Sequence, residues 1–264
     1  MTSKTTHLSF EPFGQTQGKL RERSFPTLHY YRNLYRVDFP EVFHFNLKRM
    51  KKSVDLVMFD LDGTLADTGR DLANSVNFTR GQFDLAPLPE ESIYAQVGRG
   101  VEYLLKHSLP EKRPEDFPQV LHIFLGHYER HLLDCTVLYP GVRDVLDYFS
   151  AKRRVVVSNK MYRLALAMVR GLGVEDRFDA VFGGDSAAEK KPHPALLHVA
   201  LRRFQVSASS ALMVGDGDTD IEAGRRAGVI TCGVTYGLGN KDDLIATAPD
   251  YLIDDLTELY EHFC

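Results

Sequence analysis

The sequence has no tryptophan, only three cysteines, no apolar run long enough to cross a membrane and no excess of positive charge. Each absence removes a class of function. Cys135, Cys232 and Cys264 are odd in number, far apart and form no CxxC pair. They therefore make neither a disulfide framework nor a zinc site, and they read as reduced thiols of a cytoplasmic protein. Without a span of about 20 apolar residues the chain is not expected to cross a bilayer. The formal net charge is −4, so nothing global suggests a polyanion partner, and only the first fifty residues lean basic. What is present is an ordinary globular balance, 44% hydrophobic and 26% charged residues in a chain of 264. That length suits one large or two smaller domains around a packed core.

Residues 1–50 mix aromatics with scattered Lys and Arg and follow neither a helical nor a strand period. They read as a poorly ordered N-terminal extension, with Met50-Lys51-Lys52 a natural start for the folded part and a docking arm or targeting piece as the alternative. From Val54 the pattern changes. Short β-prone runs at 54–60, 154–158, 180–182, 211–215 and 230–234, with a weaker one at 251–253, alternate with helix-like stretches at 142–151, 164–172, 194–204 and 221–227. Strand and helix in alternation predict a doubly wound parallel α/β sheet, a Rossmann-like core. Residues 67–137 interrupt it. Segments 70–82, 101–107 and 117–133 have helical character, prolines punctuate them, and no convincing strand occurs among them. The expected organisation is an α/β core of residues 51–66 and 138–264 carrying an inserted helical cap of residues 67–137.

In such a sheet, ligands sit beyond the carboxyl ends of the strands. That edge collects Asp60 and Asp62 after the first strand, Ser158-Asn159-Lys160 after the second and Asp216 to Asp220 after the fourth, with Lys190-Lys191 following the third. Four carboxylates brought together raise one another's pKa unless a cation neutralises them. Oxygen ligands without His or Cys favour Mg²⁺ over Zn²⁺. A carboxylate can attack phosphorus, and the transfer then needs positioning and positive charge above all. Asp60 is the expected nucleophile, and Asp62 the acid and base that serves the leaving oxygen and then water. Lys191, Ser158, Thr64 and the backbone of the Asp62-Gly63-Thr64 turn are expected around the phosphoryl oxygens. Each residue also has a plainer reading: Ser158 and Thr64 as helix or turn caps, Asp220 as an acid in a first helical turn, Lys191 or Lys190 as a surface lysine.

The runs Asp60-Leu-Asp-Gly-Thr-Leu65, Ser158-Asn-Lys160, Lys191-Pro192 and Gly215-Asp216…Asp220 resemble the four ordered motifs of the haloacid dehalogenase-like hydrolase superfamily, over about residues 54–263. Within it, Val97-Gly98-Arg99-Gly100, Leu138-Tyr139-Pro140-Gly141-Val142, Gly183-Gly184-Asp185 with Lys190-Lys191-Pro192-His193-Pro194, and Thr235-Tyr236-Gly237 look like the phosphoglycolate phosphatase branch. The resemblance implies Asp60 as nucleophile and metal ligand, Asp62 as acid/base with its main-chain carbonyl on Mg²⁺, and Asp216 as a metal ligand supported by Asp220. Ser158 and Lys191 fall to the phosphoryl group, with Asn159 and Thr64 expected beside them. Arg99, in the Gly98–Gly100 turn of the cap, is expected either to meet a substrate carboxylate together with Gly100 or to be a solvated loop residue. The dehalogenases lack the second acid, so the presence of Asp62 disfavours carbon–halogen cleavage. Ser158 stands where Thr is common, Gly217 where Ser is usual, and residues 1–50 have no counterpart. The implied activity is Mg²⁺-dependent hydrolysis of a small phosphorylated metabolite, 2-phosphoglycolate first, by a cytoplasmic monomer or homodimer. A sugar-phosphate or amino-sugar 6-phosphate phosphatase shares the same motifs; a phosphosugar mutase and a non-catalytic phosphate sensor are the remaining alternatives.

Overall fold

The structure is a computed structural model that describes residues 51–110 and 114–264. The extension expected over residues 1–50 lies outside the described residues. In chain order the elements are β1 (Leu56–Phe59), β2 (Ala66–Asp67), α1 (Gly69–Gly81), α2 (Glu90–Tyr94), α3 (Val101–Ser108), α4 (Phe117–Tyr128), β3 (Val137–Leu138) and α5 (Val142–Tyr148). They continue with β4 (Arg153–Val157), α6 (Tyr162–Gly171), β5 (Ala180–Phe182), α7 (Ala195–Phe204), β6 (Ala211–Gly215), α8 (Asp218–Ala227), β7 (Ile230–Val234), α9 (Lys241–Ala246), β8 (Tyr251–Ile253) and α10 (Leu259–His262).

Six strands form one parallel sheet in the order β5-β4-β1-β6-β7-β8. These are the six strands the sequence predicts. Parallel strands buried on both faces need apolar residues at every position, and β1 is buried throughout. Leu56 and Met58 pack with Leu196, Leu197 and Ala200 of α7 on one face. Val57 and Phe59 belong to the core on the other face with Val145 of α5, Met168 of α6 and cap residues such as Leu72 and Phe124. The chain's end closes on its described beginning: Lys52 donates to the His262 carbonyl at 2.7 Å, and Cys264 donates back to Lys52 at 3.1 Å.

Helices α1 to α4 occupy the stretch between β1 and α5. Three features there differ from the sequence reading. Ala66–Asp67 and Val137–Leu138 pair antiparallel, a two-residue ribbon too short to leave a period in the sequence. Glu90–Tyr94 forms a short extra helix. The helix expected over 117–133 stops at Tyr128, where Arg130 and His131 donate back to the His127 carbonyl and tighten the chain into a turn. The turn brings Cys135 and Thr136 to the buried Asp71 carboxylate in the first turn of α1, which accepts from both backbone N–H groups and from the Thr136 hydroxyl at 2.8–3.0 Å. That carboxylate sets where the insert returns to the sheet.

Candidate active site

β1 ends one residue before Asp60, whose N–H still bonds to the Val214 carbonyl of β6 at 2.9 Å. The side chain is thus fixed at the carboxyl edge of the central strand. The chain then turns sharply, with Leu65 and Ala66 both donating to the Leu61 carbonyl. Gly63 makes the turn at φ +84°, and a Cβ there would fall 2.1 Å from Oδ2 of Asp216. Only glycine allows this approach of the first acidic turn to the second.

Four carboxylates gather here, all almost fully buried: Asp60, Asp62, Asp216 and Asp220. Two buried lysines face them. Lys191 Nζ donates to Asp220 Oδ1 at 2.6 Å and to the Val157 carbonyl at 2.7 Å, and lies 3.0 Å from Asp60 Oδ1. Lys160 Nζ donates to both oxygens of Asp62, at 2.8 and 2.9 Å, and to the Tyr128 hydroxyl at 2.9 Å. Asp216 accepts from the Thr64 hydroxyl at 2.8 Å and from the N–H groups of Leu238 and Gly239 at 2.9 Å.

The electrostatics follow from this count. Burial pushes Asp60 up to about 6; Lys191 works against that, and Asp220 and Asp62 add to it. Burial, with Asp60 second, likewise raises Asp216 to about 6. Asp220 is raised by burial against the pull of Lys191. Burial disfavours both ammoniums, but Asp220 and Asp60 hold Lys191 charged, and Asp62 holds Lys160 charged. Four acids against two lysines leave an excess of two negative charges, the balance that a dication cancels. Asp60, Asp216 and Asp220 each present an oxygen within 4.8 Å of the others. Asp60 Oδ1 is buried and, despite its closeness to Lys191, carries no aligned hydrogen bond. An unspent buried carboxylate oxygen in an anionic cluster of oxygen donors fits a hard divalent cation.

The comparisons with known proteins agree with this chemistry. The sequence profile of the haloacid dehalogenase-like hydrolases matches residues 57–234. The chain belongs to the haloacid dehalogenase-like hydrolases. It is 36% identical over 223 residues to a phosphoglycolate phosphatase of Chromobacterium violaceum, covering 82% of this chain and 97% of that one. It is 34% identical over 214 residues to one of Colwellia psychrerythraea, covering 78% and 95%. The solved structure of a predicted phosphoglycolate phosphatase from Haemophilus somnus superposes with a TM-score of 0.76 at 28% identity, covering 79% of this chain and 97% of that one.

In this member of the haloacid dehalogenase-like hydrolases, the positions picked from the sequence meet at one strand edge, but not all in the expected posture. Ser158 is buried, and its oxygen accepts only from the Lys160 N–H at 3.3 Å, which leaves its own O–H to donate. Thr64, expected on the phosphoryl group, gives its hydroxyl to Asp216. Asn159, also expected there, spends its amide on both backbone groups of Lys191 and on the Gly98 carbonyl of the cap. It sets Lys191 and docks the cap. Arg99, expected on substrate, is exposed and pairs with Asp218 in the first turn of α8. Gly100 lines the cavity through its backbone, beside Asn159 and Lys190. Lys190 remains partly exposed while Lys191 is buried, so one of the two neighbours turns inward. Lys160 and Tyr128 are the residues the sequence reading did not single out. Lys160 had a signal, since it stands three residues beyond the end of β4 at an edge crowded with acids. Tyr128, at the end of a cap helix, had none.

Among the described residues no helix is long and apolar enough to cross a membrane.

Proposed function

We propose that this chain is a Mg²⁺-dependent phosphatase of a small phosphorylated metabolite, 2-phosphoglycolate the first choice, and that Asp60 is its nucleophile. The observation that carries the reading is the buried Asp60 carboxylate at the end of the central strand, its Oδ1 3.0 Å from Lys191 Nζ and without an aligned hydrogen bond. The relatives named above support the substrate. A cavity of about 40 Å³ lies between cap and core, bordered by Asp60, Asp62, Gly98, Gly100, Phe124 and Tyr128.

Asp60 attacks phosphorus, forming an Asp60–phosphoryl bond as the bond to the leaving oxygen breaks. Asp62 gives that oxygen a proton, then takes one from the water whose oxygen displaces Asp60 and releases phosphate. Lys191 and the Ser158 hydroxyl hold the transferring phosphoryl oxygens, and Asn159 fixes Lys191 from behind. Asp60 and Asp216, with the Asp62 main-chain carbonyl and Asp220 in support, are the residues that would hold Mg²⁺, whose charge would offset that of the phosphoryl oxygens. Burial under the cap strengthens each of these interactions and keeps bulk water out.

The test is a panel of phosphate esters compared by kcat/KM, including 2-phosphoglycolate, hexose 6-phosphates and amino-sugar 6-phosphates. We expect 2-phosphoglycolate to lead. A hexose or amino-sugar phosphate turned over faster would move the substrate, and turnover of none would remove the activity.

A further inference from the structure

The cavity beside Asp60 has three charged residues in its lining, the carboxylates of Asp60 and Asp62 and the ammonium of Lys160. Its other walls are chiefly apolar side chains and backbone, including Val97, Val101, Leu104 and Phe124. Lys191, the other buried lysine of the site, is not among the residues lining it, being turned to Asp220, Asp60 and the Val157 carbonyl. The end of the substrate that is not transferred must therefore sit next to two acids, with Lys190 beside Gly100 at its border and Lys160 the one cation in the lining.

That cation is placed unlike an ordinary lysine. Its side chain is 5% exposed, and its three N–H donors go to the two Asp62 oxygens and the Tyr128 hydroxyl. It also lies 4.9 Å from the centre of the Tyr128 ring. Lys160 comes from the core and Tyr128 from cap helix α4, so the pair spans the boundary that encloses the substrate. The two Asp62 oxygens are the ones the proposed reaction needs for proton transfer, and Lys160 occupies both. An anionic group on the leaving part of the substrate offers Lys160 an equivalent charge-assisted partner and frees a face of Asp62. A neutral group offers no such exchange.

We infer that Lys160, seated against Tyr128, is the specificity-determining receptor for the substrate's acidic end, so that this site selects phosphate esters carrying a carboxylate next to the ester carbon. The inference rests on the phosphatase reading above, and it assigns to one core lysine the choice of substrate that the cap alone would otherwise have to make. It does not require Lys160 to change its charge, only its partner.

The test compares 2-phosphoglycolate with 2-hydroxyethyl phosphate, the same chain length with a hydroxymethyl group in place of the carboxylate, in the Mg²⁺-supplied full-length protein. Wild type should prefer the carboxylate by about 100-fold in kcat/KM, the scale of one charge-assisted hydrogen bond in a closed site. Lys160→Met should lose activity on both esters, because Asp62 loses its anchor. The preference should nevertheless collapse towards unity, mainly through KM for 2-phosphoglycolate. Lys160→Arg should recover part of the preference. Tyr128→Phe, which keeps the ring and removes the hydroxyl, should reduce it several-fold and serves if the methionine variant does not fold. A wild-type preference near unity, an undiminished preference in Lys160→Met or, where that variant does not fold, an undiminished preference in Tyr128→Phe would overturn the inference and leave the phosphatase reading standing. A wild-type protein that cleaves neither ester would overturn both.

Discussion

At the scale of single residues, the site is organised by who occupies whom. Asp60 faces Lys191 without an aligned hydrogen bond, Asp62 is held by Lys160, Asp216 by Thr64 and the Leu238 and Gly239 N–H groups, and Asp220 by Lys191. Of four chemically identical side chains, Asp60 is the one with the fewest aligned hydrogen bonds, in keeping with the role proposed for it. Gly63 makes this division possible by letting two acidic turns touch. Gly63→Ala would place a methyl group against Asp216 and force a left-handed backbone on a residue that resists it, at roughly 1–2 kcal/mol for the backbone alone. A displacement of about 1 Å in such a site costs on the order of 100-fold in rate. Steady-state kinetics should show a kcat/KM loss of that size alongside a lower melting temperature. A variant with unchanged rate would show that the Gly63–Asp216 contact does not set the geometry.

At the scale of elements, most of the sheet was legible. β1, β4 and β6 are apolar runs ending in Asp, Ser-Asn and Gly-Asp, and those endings mark both the strand limits and the edge where the candidate site lies. The neck of the insert was not legible, since two residues per strand, Ala66–Asp67 against Val137–Leu138, carry no period. The early end of α4 was hidden for a related reason. Residues 129–133 have helical propensity, and what stops them is distant: the Asp71 carboxylate that captures Cys135 and Thr136. The same separation explains the site residues that were missed or misplaced. Asp60, Asp62, Ser158 and Asp216 sit at strand ends, where topology fixes their direction, and Lys191 lies in the loop between β5 and α7. Lys160 pairs with Asp62 across 98 residues of sequence and Arg99 with Asp218 across 119, and only the folded chain decides such pairings.

At the scale of the whole molecule, the buried site carries an uncompensated charge that couples stability to metal and to pH. Asp60 and Asp216 titrate near 6 in the folded protein, above the ordinary carboxylate value of 3.8. For carboxylates raised in this way, the stability they add is fully present below the unfolded value and is lost as pH rises through about 6. Metal-free protein at pH 7.5 thus holds both acids ionised at a cost, and a divalent cation relieves it. Saturating Mg²⁺ at pH 7.5 should raise the melting temperature by about 5 °C or more, on the usual scale of ligand linkage for a domain of this size. At pH 5 the gain should shrink, because protons already occupy the carboxylates that would bind the ion. Melting curves with Mg²⁺ and with chelator at the two pH values check this; equal shifts at both would argue against Asp60 and Asp216 as the ligands.

The proposed chemistry turns on Asp60 taking the phosphoryl group. The most direct measurement is acid quench of a single turnover with ³²P-labelled 2-phosphoglycolate, followed by peptide mapping of the label. The account predicts transient protein-bound phosphate on the peptide containing Asp60, labile to hydroxylamine and absent from Asp60→Asn, which should also have lost turnover. Phosphate released with no label on the protein at any time, from a wild type that Asp60→Asn matches in rate, would contradict it.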